Sequence, residues 1–288
     1  MPDPRVFIVR HGETEWSLNG RHTGTTELPL TAAGEKRIRA TGRALVGDDR
    51  LIVPGNLAHI YVSPRHRAQR TLELLNLGCQ EEYPWHKGTS SSSSLSSSSP
   101  SSSSKPAASD PAESTRTTTA HITVDPRVCE WNYGSYEGLT SSQIRQSRSE
   151  RRLPANWDIW RDGCEGGESP EDVAARLDEL IEEMREKWHE GRFGKGSGWK
   201  GKGNDGGGGG GGTGVPNDVL IVAHGHVLRS FAARWVGKGL KDNPSLILEA
   251  GGVGTLSYEH HSIDEPAILL GGAFVVEMEE KLEEKLNT

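Results

Sequence analysis

The feature that most restricts this chain is a set of short, continuous apolar runs separated by stretches of helical periodicity. RVFIVR (5–10), HIYVS (59–63), HITVD (121–125) and DVLIVAH (218–224) each read as a strand, with apolar residues in unbroken succession. A strand that is apolar on both faces needs cover on both, so the pattern predicts a mainly parallel sheet between two helical layers. The expected fold is α/β, a three-layer α/β/α sandwich with a doubly wound sheet. A C-terminal hairpin through GTLSYEHH and AILLGGAF is expected to extend it.

Helices fill the intervals. The best marked begins at Ser169, where Ser-Pro-Glu-Asp supplies an N-cap, a proline at the first helical position and an acidic first turn. Val173, Leu177, Leu180, Ile181, Met184 and Trp188 then recur at helical spacing and form a core stripe. Another helix is expected after Pro64, and a third after Gly225 with Val227, Leu228, Phe231 and Trp235 on its buried face. A Ser/Pro/Thr-rich segment at about 88–120 and a Gly-rich one at 194–214 interrupt this pattern. Both are too polar to offset their own ordering entropy, and they read as loop insertions within one domain spanning 1–288. They also account for a hydrophobic fraction of only 33%.

A net charge of −7 argues against nucleic acid as a partner, because polyanions are held by an excess of clustered Lys and Arg. Cys79, Cys129 and Cys164 are odd in number and lack a CxxC spacing, so neither a disulfide framework nor a zinc site is expected. No run approaches the roughly 20 apolar residues of a membrane span. These features predict a cytoplasmic protein with no membrane partner, leaving the nucleus and a homo-oligomer open.

In doubly wound sheets, ligands bind beyond the carboxyl ends of the strands. Arg10 and His11 stand at the end of the first strand, His224 at the end of DVLIVAH, and Arg65 where HIYVS turns into a helix. Two guanidiniums, two imidazoles and the helix N-terminus at Gly225 thus converge on one sheet edge, a set suited to a phosphoryl group. A neutral imidazole can attack phosphorus and form a phosphohistidine, which requires neither metal nor cofactor. His224 and His226 have an H-x-H spacing, but no third ligand cluster accompanies them, and no metal is expected. The leaving oxygen needs a proton. VCEWNYGSYEG offers Glu130, flanked by Trp131 and near Tyr133 in apolar surroundings that would keep a carboxyl protonated, with Glu137 as the fallback.

VRHGETEWS, YVSPRHRAQRT, EWNYGSYEG and VAHGHVLR occur in the order seen in the histidine phosphatase superfamily, which includes cofactor-dependent phosphoglycerate mutases and many phosphatases; the chain resembles that family. The likeness covers nearly the whole chain outside the two insertions and implies a sandwich of the phosphoglycerate mutase-like type. NWDIWRDGCEGGE and GGVGTLSYEHHSIDEPAI are similar to the metal-independent sedoheptulose-1,7-bisphosphatase branch found in fungi.

Carried onto these positions, the resemblance implies His11 as the phosphorylated nucleophile, with Arg10, Arg65 and His224 as the phosphate pocket. Glu130 would be the acid for the leaving group and then the base for water. Ser17, Thr23 and Gly24 fall where the family lines its pocket with small polar groups, and Tyr133 and Gly225 join them on the substrate side. Mutases usually have asparagine at the position of Ser17, and the bisphosphatase branch tends to have tyrosine where this chain has His22. A bisphosphate needs a second anion site, for which Arg229 and His261 are the first candidates. His260 and Arg161 lie in the branch-like stretches too, although an ion pair with Asp162 is an equal reading of Arg161.

The implied activity is hydrolysis of a sugar bisphosphate, sedoheptulose 1,7-bisphosphate to the 7-phosphate. A phosphoglycerate mutase or a broad-specificity phosphatase is the nearest alternative. Carboxylate-binding Arg151 and Arg152 over the site would favour the mutase, although both read as a solvated face. A non-catalytic phospho-ligand binding protein is the alternative of another class.

Overall fold

The computed structural model describes residues 3–87, 117–193, 215–242 and 245–270. Six strands form one sheet: β1 (Val6–Arg10), β2 (Leu57–Val62), β3 (His121–Val124), β4 (Asp218–Ala223), β5 (Val253–Tyr258) and β6 (Pro266–Leu269), in the spatial order β3-β2-β4-β1-β5-β6. The four strands from β3 to β1 are parallel, and β5 and β6 follow antiparallel, which is the expected hairpin. The Gly-Gly-Ala-Phe end of that hairpin lies outside the described residues, as do most of the 88–120 insertion and all of the 194–214 insertion. The last residues assigned to the first insertion are instead part of the packed structure. Thr118 bridges Cys79, and both Thr118 and Ala120 are buried, because they lead directly into β3.

The continuous apolar strands divide their side chains between two cores. Val6, Ile8, Val219 and Ile221 face α6 (Pro170–Met184) and α7 (Gly225–Trp235), whereas Phe7, Val9, Leu220 and Val222 face α2 (Ala32–Leu45) and α3 (His66–Leu75). This is the three-layer arrangement, with the period-2 alternation of each strand deciding which core a residue joins. α6 starts as expected, Ser169 and Asp172 forming a reciprocal capping box around Pro170 at the first helical position. Its α-helical geometry stops at Met184, and a π-helical turn over Arg185–His189 follows. That turn displaces Trp188 from the stripe: it is only partly buried and donates its indole N–H to Tyr61 at 3.1 Å.

The register positions the site. Arg10 of β1 lies beside Ala223 of β4, and Val62 of β2 beside Val222, so His11, Ser63 and His224 emerge together at the carboxyl edge. β5 runs the other way. Val253 pairs with Val9 near the site, and Leu256 pairs with Val6, so the chain beyond Tyr258 leaves at the opposite edge. α1 (Glu15–Asn19), α4 (Ser141–Glu150) and α5 (Ile159–Asp162) are short elements from the connections. No helix among the described residues is long and apolar enough to cross a membrane.

Candidate active site

His11 leaves β1 with its backbone N–H donated to Ala223 at 2.9 Å. Its ring is 6% exposed, and Nδ1 lies 2.7 Å from the Gly12 carbonyl oxygen. A carbonyl only accepts, so Nδ1 carries the proton and the lone pair is left on Nε2. Thr71 fixes that carbonyl's residue in turn, its hydroxyl accepting the Gly12 N–H at 3.0 Å. Burial first, then the Arg67 guanidinium, pushes the His11 imidazole down to about 3, so it is neutral at physiological pH.

His224 lies behind His11, its ring centroid 5.1 Å away, and is fully buried. Arg67 Nε donates to His224 Nδ1 at 3.2 Å, and a guanidinium has no acceptor, so the His224 proton sits on Nε2 and is donated to Ser63 Oγ at 2.7 Å. Burial, reinforced by Arg67, holds this imidazole well below its ordinary range. With both nitrogens engaged, and with His226 Nδ1 2.8 Å from the Tyr133 hydroxyl, the H-x-H pair is tied into the protein's own network.

Arg67 is the cation that sequence reasoning missed, in favour of Arg65. Arg67 is 0% exposed and also donates to the carbonyls of Thr26 at 2.9 Å, Thr23 at 3.0 Å and Gly24 at 3.4 Å. Arg65 caps α3 from outside. Its Nη1 pairs with Glu27 at 3.0 Å while the other Glu27 oxygen accepts the His66 N–H, its Nε is buried with no partner among the described residues, and it adds to the positive field around His224. The helical period contained the signal: Arg67, Thr71 and Leu75 share the buried face of α3, whereas Arg65 precedes the helix.

Glu130 is buried, but its surroundings are polar where apolar ones were expected. Its Oε1 accepts the N–H groups of Trp131 at 2.9 Å and Val227 at 2.8 Å, and Oε2 accepts that of His226 at 3.0 Å. Two of these donors belong to the first turn of α7, where N–H groups lack helical acceptors. Glu137, the fallback acid, has a different task. Its carboxylate accepts the N–H groups of Gly24, Thr25 and Thr26 at 2.9–3.1 Å and so fixes the loop that Arg67 grips from the other side. That use explains why Gly24 does not line the cavity, contrary to expectation. Its N–H points at Glu137, and a side chain there would meet the Trp131 carbonyl oxygen at 2.4 Å.

A cavity of about 190 Å³ opens above these groups. Arg10, His11, Ser17, Thr23, Glu130, Tyr133, Gly225 and Arg229 line it, with His22, the position compared with the branch's tyrosine, and with Thr14, Gly20, Arg21 and His226, which sequence reasoning had not placed there. Arg10 donates to the Leu248 carbonyl at 2.8 Å, and its Nε is buried with no partner among the described residues. Ser17 closes the capping box of α1, its Oγ accepting the Thr14 N–H at 2.9 Å, and it donates to the Thr14 carbonyl at 2.8 Å. Arg229 lies over the Trp160 ring, 5.0 Å from its centroid, and burial lowers its pKa. Two larger depressions, of about 590 and 500 Å³, lie along α2 and β5 and along α6; neither gathers an imidazole with an acid.

His261 does not reach the cavity. It follows β5 at the opposite edge and pairs with Asp3 at 2.7 Å, because the antiparallel strand has carried the chain away from the site. His260 pairs with Glu265, and Arg161 with Asp162 at 2.7 Å.

The arrangement joins a neutral imidazole with a free Nε2, arginine donors, a helix N-terminus and a carboxyl group. Such a set can bind a phosphoryl group, accept it on nitrogen and exchange a proton with the departing oxygen. Comparison with known proteins agrees with this chemistry. The family model for the histidine phosphatase superfamily (branch 1) matches residues 6–88 and 95–193. The chain is 32% identical over 316 aligned positions to sedoheptulose 1,7-bisphosphatase of Saccharomyces cerevisiae, covering 96% of each protein. It is 28% identical over 256 positions to an acid phosphatase of Mycobacterium tuberculosis, covering 89% of this chain and 87% of that one. Among solved structures, the open reading frame Rv3214 of Mycobacterium tuberculosis superposes with a TM-score of 0.57 at 25% identity, covering 93% of this chain and 97% of that one. A mycobacterial glucosyl-3-phosphoglycerate phosphatase shares the fold, with a TM-score of 0.56 at 20% identity and coverage of 93% and 97%.

Proposed function

The chain belongs to the histidine phosphatase superfamily and is an enzyme of phosphatase type; from that premise we propose that it hydrolyses a sugar bisphosphate, sedoheptulose 1,7-bisphosphate, to the 7-phosphate. The observation that carries this reading is His11, neutral, with Nδ1 tied to the Gly12 carbonyl and Nε2 without a hydrogen-bond partner among the described residues, in the field of Arg67 and Arg10.

In the first step the Nε2 lone pair forms an N–P bond as the bond from phosphorus to the sugar oxygen breaks, and Glu130 gives its proton to that oxygen. In the second step water attacks phosphorus, Glu130 takes its proton, and the N–P bond breaks to release phosphate. Arg10, Arg67 and the N-terminus of α7 at Gly225 stabilise the charge on the transferring group, with His224 orienting Arg67. Ser17, Thr23 and Tyr133 shape the wall, and Arg229 is the candidate for the second phosphate.

The mutase alternative is less well supported. Arg151 forms a two-point pair with Glu165 at 2.6 and 2.7 Å, which engages one of the two cap arginines that would hold a phosphoglycerate carboxylate. We place the enzyme in the cytoplasm, acting on a small phosphorylated sugar. The test is phosphate release from sedoheptulose 1,7-bisphosphate, fructose 1,6-bisphosphate and 3-phosphoglycerate in excess chelator. Fastest release from the seven-carbon bisphosphate is expected; isomerisation of 3-phosphoglycerate without net release overturns the reading.

A further inference from the structure

The two faces of the sheet are covered unequally. On the side of Phe7 and Val9 the described helices are α2 and α3, and the sheet continues past them through β5 to β6, its last strand. A groove of about 590 Å³ is left between α2 and β5. Ala40, Ala44 and Leu45 of α2 line one side of it and Val253 and Leu269 the other, with no side chain at Gly252 to fill the space. Ala40 and Ala44 are exposed although they sit next to an apolar strand, so this is a face that a further apolar element would bury.

The chain itself leads to this groove. Leu269 belongs to its wall and ends β6, and Leu270, the next residue, is 93% exposed. Beyond it, outside the described residues, the sequence reads GGAFVVEMEEKLEEKLNT. Gly271 and Gly272 accept either sign of φ and so permit a sharp reversal immediately after Leu270. Phe274, Val275, Val276 and Met278 then supply an apolar block ahead of a glutamate-rich run. Six extended residues, 273–278, reach about 20 Å, and the 14 residues of α2 about 21 Å, so the block matches the helix in length. Charge matches as well. α2 exposes Lys36, Arg37, Arg39 and Arg43, and among the described residues only Arg39 of these has an ion pair, with Glu35 at 3.5 Å. In the segment, Glu277, Glu279, Glu280, Glu283 and Glu284 outnumber Lys281 and Lys285.

We propose that the groove between α2 and β5 is an intramolecular docking site for residues 273–278 of the same chain, folded back at Gly271 and Gly272. Their apolar side chains cover Ala40, Ala44 and Leu269, and the glutamates that follow lie beside the arginines of α2. A second copy of the chain is the rival occupant, but the segment is tethered at the edge of the groove, and a short tether raises its local concentration far above that of a free partner. The docking surface is separate from the cavity that holds His11. It nonetheless borders the strand that ties down β1, because the Gly251 N–H is shared by the Arg10 and His11 carbonyls at 3.2 and 3.1 Å.

The test places photoreactive p-benzoylphenylalanine at position 274 of the full chain and irradiates an equal mixture of isotopically light and heavy copies. Cross-links within one copy, to peptides covering 37–45 or 251–255, are expected. Links that join light to heavy copies would give the groove to a second chain, and links scattered elsewhere would put the segment outside it; either overturns the proposal. Thermal unfolding supplies a second arm. Phe274→Asp is expected to lower the midpoint by about 4–8 °C, the typical effect of exposing one large apolar side chain in a protein of this size. Ala44→Glu, at an exposed helical position where glutamate is well tolerated, is expected to lower it too. The double variant is then expected to lose no more than the worse single one, because both changes abolish the same contact. An unchanged midpoint in Phe274→Asp, or additive losses in the double variant, overturns the proposal.

Discussion

Exchanging arginine for lysine at positions 65 and 67 separates two cations only two residues apart. Arg67 reaches His224 Nδ1 at 3.2 Å and the Thr26 and Thr23 carbonyls at 2.9 and 3.0 Å, using three different nitrogens. A lysine ammonium concentrates its donors on one atom and cannot serve those acceptors together, so Arg67→Lys loses at least two bonds while keeping the charge. Hydrogen bonds involving a charged group contribute about 1.5–3 kcal/mol each. A loss of about 3 kcal/mol at the transition state corresponds to roughly a hundredfold in kcat/KM. Arg65 is a different case. Its pair with Glu27 has side-chain exposures of 25% and 50%, and such pairs contribute about 1 kcal/mol at most. Arg65→Lys is therefore expected to stay within about fivefold of wild type. Phosphate release measures the activity, and urea unfolding establishes that each variant folds. A hundredfold loss in Arg65→Lys with near-normal Arg67→Lys would refute the assignment.

Stability should fall on acidification below about pH 6.5. Unfolded imidazoles take up a proton near 6.5, whereas folded His11 and His189 resist it to about 3 and His59 to about 4, so between those limits the unfolded state binds more protons. Their stabilisation is full above 6.5 and is lost as pH drops, each buried ring contributing up to about 1.4 kcal/mol per pH unit. Urea midpoints at pH 7 and pH 5 check this; equal midpoints contradict it. Glu137→Gln removes the charge that three loop amides share, and a rise in KM larger than the fall in kcat is expected, with stability lower by about 1–3 kcal/mol. Steady-state kinetics and urea unfolding on the same preparation separate the two effects.

The sheet was legible because both of its faces are covered, which leaves unbroken apolar runs such as VFIV and VLIVA in the sequence. α2 was not, since much of its buried face is glycine. Gly34 packs on the Glu13 backbone and Gly42 on that of Leu75, with Ile38 between, and glycines at helical spacing leave no hydrophobic stripe. His11 stands at a strand end that local pattern locates, whereas Glu130 lies in a loop and was marked only by the EWNYGSYEG stretch around it. Arg67 was harder to find. Three arginines fall within HRAQRT and the residue before it, and only the phase of α3 decides which one turns inward. His261 shows the reverse limit. Its place in a branch-like stretch gave no direction, and the antiparallel course of β5, which depends on long-range pairing with β1, sets it at the opposite edge.

The central claim is that His11 Nε2 attacks phosphorus directly, and trapping the intermediate tests it most directly. The enzyme is mixed with a substrate carrying a radiolabelled 1-phosphate in excess chelator, quenched in alkali during turnover and mapped by peptide. Label on His11, formed at least as fast as product and absent in His11→Ala, is the predicted result. Full-rate turnover with no label on His11, or with label on another residue, would contradict the account.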